Sequence, residues 1–400
     1  MIMAGGTGGH VFPALAVAQR LSERGTNVRW MGTRRGLESR VVPAAGFAID
    51  WIAIEGLRGK SRLSVLLAPI KLLRAVVQSV LILRTHKPKA VLGMGGFVAG
   101  PGGLGAWLLG IPLIVHEQNA VAGLTNRYLA KLATRVLSGF PQPLDLPADT
   151  QWVGNPVRAE FSKPATRSKS AITGSPLRVL VIGGSQGALS FNRNLPALFA
   201  ECWSELVGQN GFEVWHQTGR DRAQEVQALY ALRPELNVRV SEFIDDMAEA
   251  LAWADLLVCR AGAMTIAEIC AVGRASVLVP YPHSAGDHQE INAKYLVDAG
   301  AAVMVEDSCL ATFGSHKAEG SLPAEGSQSA EGSLPADGSS SAEGSSLAEG
   351  STGAVRLREV VVALLRDDTK RAAMATAARN LHRADALNTV SDICQEYVDA

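Results

Sequence analysis

The fold is decided by two stretches of the same design, MIMAGGTGGH at residues 1–10 and VLVIGGSQGA at residues 179–188. Each is an apolar run followed by a glycine-rich loop, and a helical pattern follows the first loop at residues 11–24. A strand, a glycine loop and a helix in this order open a Rossmann-like unit, whose loop and helix amino terminus can receive a phosphate. The sequence therefore predicts two such units.

Other short apolar runs alternate with longer helical patterns, which is typical of parallel α/β sheets with helices on both faces. The runs are residues 27–31, 48–54, 90–92 and 112–116, then 177–182, 213–216, 237–240, 256–259, 276–279 and 302–305. A stretch rich in Pro, Lys, Ser and Thr at residues 156–176 separates the two sets. We predict an α/β protein of two Rossmann-like domains with parallel sheets that face each other across a cleft.

The expected domains are residues 1–157 and residues 158–384, with a C-terminal helix at residues 385–400 that completes the first domain. Residues 316–352 belong to neither sheet, because a six-residue unit of the type AEGSLP repeats nearly six times there. The repeats supply almost no β-branched or aromatic side chains for a core. We predict a disordered insert that can be deleted without loss of activity.

The composition, 47% hydrophobic and 19% charged, is that of a globular protein. Its five cysteines are scattered and never spaced C-x-x-C, which argues against a disulfide framework or a zinc site.

The net charge of the chain is zero, but the two parts of the chain carry opposite net charges. Residues 1–157 hold 17 Lys and Arg against 7 Asp and Glu, and the remainder holds 21 against 31. The basic part suits phosphates or an anionic membrane surface, although two unevenly charged, solvated faces would give the same count.

An apolar stretch at residues 63–84 is interrupted by Pro69, Lys71 and Arg74, so we expect no membrane-spanning helix, and no secretion signal is seen. Its basic surroundings suit a helix lying in a cytoplasmic lipid interface. A buried core helix is the alternative.

The glycine loops do not match the dinucleotide fingerprint G-x-G-x-x-G, which disfavours a dehydrogenase, and Gly59-Lys60-Ser61 lacks the first glycine of a P-loop. No D-x-D pair is present to hold a metal-bound diphosphate. His283, Asp287 and His288 suit a solvated loop better than a metal cluster, so we expect no protein-held metal and no cofactor. His10 closes the first loop, where a neutral imidazole can accept a proton from a sugar hydroxyl or act only as a packing residue.

Seven motifs in order, covering nearly the whole chain outside the insert, resemble the MurG family of GT-B glycosyltransferases. They are AGGTGGHVFP at 4–13, GMGGF at 93–97, HEQNA at 116–120, GNPVR at 154–158, GGSQGA at 183–188, FIDDM at 243–247 and CRAGAMTIAE at 259–268. Members of this family transfer N-acetylglucosamine from its UDP derivative to the muramyl-pentapeptide lipid intermediate, lipid I, and so form lipid II in peptidoglycan synthesis.

The resemblance implies which positions bind the substrates. The backbone of Ile244 would recognise uracil, and Glu268 would bind the ribose hydroxyls. The remaining donor residues would hold the diphosphate and the sugar: Arg158, Ser185, Arg260, Ala263, Met264, Thr265, Ile266, Ala267, Gln289, Asn292 and Asn119. Thr7, Gly8 and Gly9 would face the acceptor diphosphate. His10 would deprotonate the muramyl C4 hydroxyl for an inverting displacement, with Glu117 as the competing candidate for the base.

The resemblance also implies the partners: UDP-N-acetylglucosamine, lipid I, the anionic cytoplasmic face of the inner membrane to which the enzyme binds peripherally, and proteins of cell-wall synthesis and division, but no nucleic acid. Two other functions remain open at this point. One is a UDP-N-acetylglucosamine 2-epimerase of the same fold, and the other is a non-catalytic nucleotide-sugar-binding protein.

Overall fold

A computed structural model of the chain describes residues 1–55, 67–162, 175–184, 187–206, 211–282, 284, 287–310 and 346–399. For residues 309 and 346–355 only the backbone is described. Ser185, His283 and residues 316–345 of the predicted insert lie outside these ranges.

The first sheet has seven strands: β1 (Ile2–Met3), β2 (Arg29–Gly32), β3 (Ala48–Trp51), β4 (Val91–Gly93), β5 (Leu113–Glu117), β6 (Arg135–Ser138) and β7 (Gln151–Trp152). All neighbours are parallel, in the order β3-β2-β1-β4-β5-β6-β7. The predicted runs at residues 27–31, 48–54, 90–92 and 112–116 correspond to β2 to β5. Strands β6 and β7, the last two on one side of the sheet, were not predicted.

Five helices belong to this half: α1 (Gly8–Glu23), α2 (Glu38–Ala44), α3 (Ala68–His86), α4 (Ala99–Leu108) and α5 (Leu124–Leu129). The helix predicted at residues 11–24 is α1. Its apolar residues at helical spacing, among them Val11, Ala14 and Ala18, are buried in one cluster with Ile2 of the central strand. This packing fixes where the glycine loop between β1 and α1 lies.

The second sheet has six strands: β8 (Leu177–Ile182), β9 (Phe212–Gln217), β10 (Asn237–Ser241), β11 (Leu256–Cys259), β12 (Ala275–Leu278) and β13 (Ala302–Met304). They are again parallel, in the order β10-β9-β8-β11-β12-β13. Its helices are α6 (Leu189–Glu205), α7 (Ala223–Ala231), α8 (Met247–Trp253), α9 (Ala263–Val272) and α10 (His288–Asp298), and 3₁₀ turns span Ala159–Ser162 and Asp307–Leu310. The prediction of two parallel Rossmann-like sheets is confirmed.

Three helices end the described chain: α11 (Ser346–Arg366), α12 (Asp368–Asn380) and α13 (Ala386–Asp399). Helix α13 returns to the first sheet and packs on α1, with Val390 and Ile393 in the same core cluster as Ile2. Helix α11 begins six residues before the predicted end of the insert.

Helix α3 covers most of the apolar stretch at residues 63–84. The alternative prediction, a helix buried in the core, is wrong. Ala75 and Leu83 are buried, but Ile70, Leu73 and Leu81 are 66%, 65% and 56% exposed. Within the described ranges, no helix is both long and apolar enough to cross a lipid bilayer.

The order of strands reverses once in each sheet, between β1 and β4 and between β8 and β11. In doubly wound sheets, ligands bind outside the carboxyl ends of the strands at such a switch point. The two glycine loops follow β1 and β8, so the topology places both of them at switch points.

Candidate active site

The loop after β1 packs directly against the loop after β4. A Cβ atom on Gly96 would lie 2.2 Å from the carbonyl oxygen of Gly5, and one on Gly95 would lie 2.7 Å from Nδ1 of His10. Gly95 and Gly96 also adopt φ angles of +97° and +80°, which side chains disfavour. Only glycine allows this approach, so the two loops form one surface on which the His10 ring lies.

Helix α1 presents an amino terminus at this surface. Thr7 is its N-cap residue, in extended conformation and without a capping bond from its side chain, and the first turn holds no acidic residue. The first N–H groups, those of Gly8 and Gly9, have no intrahelical acceptor. Together with the helix dipole they suit a phosphate group.

Glu38 is a residue of this loop that the sequence analysis missed. Its carboxylate is fully buried and accepts hydrogen bonds from the N–H of Gly6 (3.0 Å) and from the N–H (3.0 Å) and hydroxyl (2.8 Å) of Thr33. It therefore joins the glycine loop to the end of β2. Only the tertiary structure shows that this glutamate, 32 residues from Gly6, faces the loop.

A chain of hydrogen bonds fixes the tautomer of His10. Its Nδ1 lies 2.9 Å from Oε1 of Gln118, and an amide oxygen only accepts, so Nδ1 carries the hydrogen. Nε2 of Gln118 donates to Nδ1 of His116 (3.1 Å) and to the His116 carbonyl (3.2 Å), which orients the amide. Nε2 of His116 donates to the Gly154 carbonyl (2.9 Å). The neutral His10 ring is left with its lone pair on Nε2.

His116, at the centre of this chain, is completely buried. Burial lowers its pKa, against the opposing effects of the Gly154 carbonyl and the Glu117 charge. It is therefore neutral at physiological pH, as its one donated and one accepted ring hydrogen bond require.

Glu117 is held by its own loop. One carboxylate oxygen accepts from the N–H (2.9 Å) and side-chain amide (3.0 Å) of Asn119, and the other from the N–H of Gly123 (3.1 Å) and the amide of Asn126 (2.9 Å). The side chain is 1% exposed. Four hydrogen bonds and burial suit a residue that shapes the loop after β5 and favour His10 over Glu117 as the base.

Asn119 and Asn292 meet between the two sheets. The Asn292 amide donates to Oδ1 of Asn119 (3.2 Å) and to the carbonyl of Ala261 (3.2 Å), and its oxygen accepts from the N–H of Ala120 (2.9 Å). Asn292 is fully buried. The pair implied for sugar binding is thus brought together, but here it links the two halves, and a sugar hydroxyl would have to replace the Asn119–Asn292 bond.

Helix α9 presents the second set of amino-terminal N–H groups. Its N-cap Gly262 has no side chain, and its first turn contains no acidic residue. The N–H of Ile266 is the first that bonds within the helix, to the carbonyl of Gly262. The N–H groups of Ala263, Met264 and Thr265 come before it and have no acceptor within the helix. The side chains of Met264 and Ile266 are buried in the core, so these two residues offer a ligand only their backbones.

Ala267 is half-buried and lines, with Ile266, a small cavity of about 30 Å³ between the two halves. The opposite wall comes from the first half and includes Phe140 and Asn155. The structure therefore places these two side chains against the first half of the chain.

Glu268 is a carboxyl group without a bond to any other described residue. Burial raises its pKa to about 7, with the Arg158 charge opposing and the Glu160 charge adding to the shift. Arg158 itself pairs with Glu160 (2.7 Å) and lies over the ring of Phe161 (5.0 Å to the ring centre). A secluded carboxyl without a protein donor is suited to receive hydroxyl groups of a ligand.

Arg260 is bound by the protein itself. Its guanidinium pairs with Asp307 (2.7 Å), donates to the carbonyls of Val279 (3.0 Å) and Pro280 (3.1 Å), and donates to Oγ of Ser190 (2.8 Å). Asp307, which the sequence analysis missed, also accepts from Ser190 (2.8 Å). Arg260 thus positions the start of α6, and these partners are bound by Nη1 and by one bond from Nη2, which leaves other N–H groups of the guanidinium for a leaving phosphate.

The remaining donor positions lie at chain turns. The side chain of Ile244 is buried, and its backbone N–H and carbonyl bond to no other described residue. Oε1 of Gln289 accepts from the N–H of Tyr281 (2.9 Å), so its amide nitrogen is the group left for a sugar. Ser185 is outside the described residues.

Comparisons with known proteins agree with this geometry. The model of the glycosyltransferase family 28 N-terminal domain matches residues 1–138, and that of the family 28 C-terminal domain matches residues 178–318. A relative from Methylococcus capsulatus is 45% identical over 400 residues, which is 100% of this chain and 99% of its own. It is named UDP-N-acetylglucosamine–N-acetylmuramyl-(pentapeptide) pyrophosphoryl-undecaprenol N-acetylglucosamine transferase.

Among solved structures, MurG of Acinetobacter baumannii is 35% identical, with a TM-score of 0.74 and 99% of each chain covered. A protein from Listeria monocytogenes described as a UDP-N-acetylglucosamine 2-epimerase covers 100% of this chain and 96% of its own with a TM-score of 0.63, but at 12% identity it shares the fold alone. The chain therefore belongs to glycosyltransferase family 28 and, within it, to the MurG family of N-acetylglucosaminyltransferases.

Proposed function

We propose that the chain transfers N-acetylglucosamine from UDP-N-acetylglucosamine to the muramyl C4 hydroxyl of lipid I. The relatives' name states this donor and acceptor. The observation that carries the chemistry is the His10 ring, whose Nδ1–H is committed to Gln118 and whose Nε2 is left as a base.

The reaction is a single inverting displacement. As Nε2 of His10 takes the proton, the C4 oxygen bonds to the anomeric carbon from the face opposite UDP. The bond from that carbon to the diphosphate oxygen breaks, and the electron pair leaves with UDP. The N–H groups and dipole at the start of α9 stabilise the charge that develops there.

Substrate binding divides between the halves. The second half would hold the donor through Ile244, Glu268, Arg158, Ser185, Arg260, Gln289, Asn292 and residues 263–267. The first half would hold the acceptor diphosphate at Thr7, Gly8 and Gly9, and Asn119 would reach across to the sugar. We also propose that the two domains divide near residue 157, and that the C-terminal helix from residue 385 completes the first domain.

The surface of α3 supports binding to the cytoplasmic face of an anionic membrane. Ile70, Leu73, Val77 and Leu81 are exposed at spacings of three and four residues, which places them on one stripe of the helix. Lys71, Arg74, Arg84 and Lys87 lie on or beside the helix. Such a stripe with a basic border suits a peripheral helix in the lipid interface.

Incubation of the protein with labelled UDP-N-acetylglucosamine and lipid I tests the transfer. We expect the label on the lipid, and none on it when lipid I is omitted. A free 2-epimer of the sugar formed without lipid I would instead establish the isomerase, and binding without turnover would establish a non-catalytic protein.

Sedimentation with vesicles tests the membrane site. We expect wild type to bind vesicles containing phosphatidylglycerol more strongly than neutral ones, and Leu73→Glu to remove this binding. Leu232→Glu is the matched control, because Leu232 is 68% exposed and follows α7 in the other half. Equal binding of both variants and wild type would contradict the assignment of α3.

A further inference from the structure

Two adjoining cavities run from the first glycine loop to α3. One, of about 280 Å³, is lined by Gly5, Gly6, Glu38 and Phe97 among others. The other, of about 520 Å³, extends from there to the side of α3 that carries Lys71 and Arg74. Both are lined by Thr33, Arg35, Ile54 and Glu55. We call the two cavities together the β3 groove, because one wall is the chain that continues from the carboxyl end of β3.

The walls of the β3 groove are apolar and its rim is cationic. The end of β3 and the chain after it supply Trp51, Ile52 and Ile54, and the N–H of Ala53 already donates to the side-chain oxygen of Gln78 (2.8 Å). Arg34 lies over the Trp51 ring, 5.1 Å from its centre. The side chains of this wall therefore offer hydrocarbon surface, and the Ala53 N–H is already engaged within the protein.

The charges along the groove favour an anion. Arg34, Arg35, Lys71 and Arg74 line it, while Glu55, which pairs with Arg35, is the acidic residue at the rim. Glu38 at the inner end is occupied by its bonds to Gly6 and Thr33. Arg34 and Arg35 lie in the turn between β2 and α2, beside the loop that leads to His10.

The direction of the groove indicates its occupant. Its inner end is the glycine loop where the acceptor diphosphate is proposed to bind, and its outer end is α3. On α3, the stripe formed by residues 71, 74 and 78 lies next to the exposed apolar stripe formed by residues 70, 73 and 77. A ligand that leaves the glycine loop along the groove therefore arrives at the surface proposed to contact lipid.

We propose that the β3 groove binds a prenyl pyrophosphate, namely the pyrophosphate and the first isoprene units of the acceptor's undecaprenyl arm. Arg34 and Arg35 bind the phosphates, and Trp51, Ile52 and Ile54 contact the prenyl chain. The inference rests on the proposed function for the identity of the acceptor. The acceptor's pentapeptide, the other arm of that molecule, is more polar and is a poorer match for the apolar side chains of Trp51 and Ile54.

Binding of farnesyl pyrophosphate to the full chain, measured by titration calorimetry, tests the groove without turnover. We expect it to bind at least about tenfold more tightly than inorganic pyrophosphate or farnesol, because only the prenyl pyrophosphate uses both the rim and the walls. Equal affinity for farnesyl pyrophosphate and pyrophosphate, or for farnesyl pyrophosphate and farnesol, would overturn the proposal.

Substitutions locate the site. Arg34→Gln with Arg35→Gln should weaken farnesyl pyrophosphate binding about tenfold, while Arg40→Gln, the same change on α2 outside the groove, should not. Leu73→Glu should retain this binding although it loses vesicle binding, which separates the groove from the apolar stripe. Unchanged melting temperatures and UDP-N-acetylglucosamine affinities would show that the variants are folded. A loss in Arg40→Gln equal to that of the double variant would overturn the assignment.

The acceptor assay distinguishes the two arms of the substrate. Trp51→Ala should reduce the preference, in kcat/KM, for an acceptor with a long prenyl chain over one with a short chain. If it instead changed the preference for acceptors with a pentapeptide over those without one, the groove would belong to the peptide and the proposal would fail. A wild-type protein that makes no lipid II would refute the proposed function, whereas the calorimetric result would stand on its own.

Discussion

The two glycine loops occupy equivalent switch points of two similar sheets, but different side chains surround them. The first loop is tied down by the buried carboxylate of Glu38 and ends in His10. In the second loop, among its described residues, the Gly184 carbonyl accepts a neutral hydrogen bond from the Gln217 amide (3.1 Å), and helix α9 carries Glu268, whose carboxyl bonds to no other described residue. The same backbone design thus carries the proposed site of proton transfer in one half and the proposed site of nucleotide binding in the other.

Among the changes that test this difference between the two loops, His10→Ala should have the largest effect on turnover. Loss of the base should lower kcat by about 10²- to 10⁴-fold, the usual contribution of general base catalysis. Single-turnover transfer from labelled donor to lipid I measures it. Glu117→Gln is the comparison variant, and a loss of turnover larger in Glu117→Gln than in His10→Ala would assign the base to Glu117.

Glu38→Ala should destabilise the first half by about 3 kcal/mol, because it removes a buried carboxylate that accepts three hydrogen bonds, from the N–H of Gly6 and from the N–H and hydroxyl of Thr33. Gln217→Ala, at the second loop, should cost only about 1 kcal/mol, the net value of one neutral hydrogen bond. Urea unfolding of the two variants measures the difference. Equal losses would show that the two loops are held equally strongly.

Gln118→Leu should lower kcat about tenfold with little change in the KM for the donor, because the His10 ring loses the acceptor that fixes its tautomer. Gln118→Glu should restore an acceptor for Nδ1–H. Its negative charge favours the charged imidazolium, so the acid limb of the kcat profile should move to higher pH. An unchanged pH profile of kcat in Gln118→Glu would contradict the claim that Gln118 acts on His10.

The smallest predicted effect is a pH dependence of donor binding. Because the pKa of Glu268 is raised to about 7, the free protein holds this carboxyl largely protonated at pH 6, whereas two ribose hydroxyls bind best to the ionised form. The affinity for UDP-N-acetylglucosamine should therefore rise between pH 6 and pH 8, and binding near pH 7 should release a proton. UDP-N-acetylglucosamine is the right probe, since free UDP has a terminal phosphate that itself titrates near about 6.

Glu268→Gln should abolish that dependence and weaken binding by a few-fold. The same group lowers the free energy of unfolding as the pH rises from about 4.5 to about 7, because its folded-state pKa lies above its unfolded value. A donor affinity that does not change with pH in wild type would contradict the role of Glu268.

Much of the fold follows from local sequence patterns, and the site follows less completely. Ten apolar runs predicted ten of the strands, but β6 and β7 are short, polar in part and stabilised by pairing at the sheet edge. No local pattern shows that Glu38 reaches Gly6 or that Asp307 reaches Arg260, because these contacts span 32 and 47 positions of the chain and depend on packing. The exposure of α3 likewise depends on what lies beside it.

The motifs lie in loops and helix starts that the structure brings to the switch points of the two sheets, yet they did not specify what each side chain contacts there. Asn292 was expected to bind a sugar, and it also bonds to Ala120 across the two halves. Arg260 was expected to face a phosphate, and its guanidinium is bound to Asp307 and two carbonyls. Buried groups that bind several partners in the protein, such as these, are recognised only from those partners in three dimensions.

The affinity of His10→Ala for UDP-N-acetylglucosamine, measured by titration calorimetry, tests the division between the two loops most directly. We predict a dissociation constant within about twofold of wild type although transfer is nearly lost, because His10 lies in the half proposed to bind the acceptor. A loss of donor affinity of about tenfold or more, equal to 1.4 kcal/mol, would show that His10 holds the donor and would contradict the account.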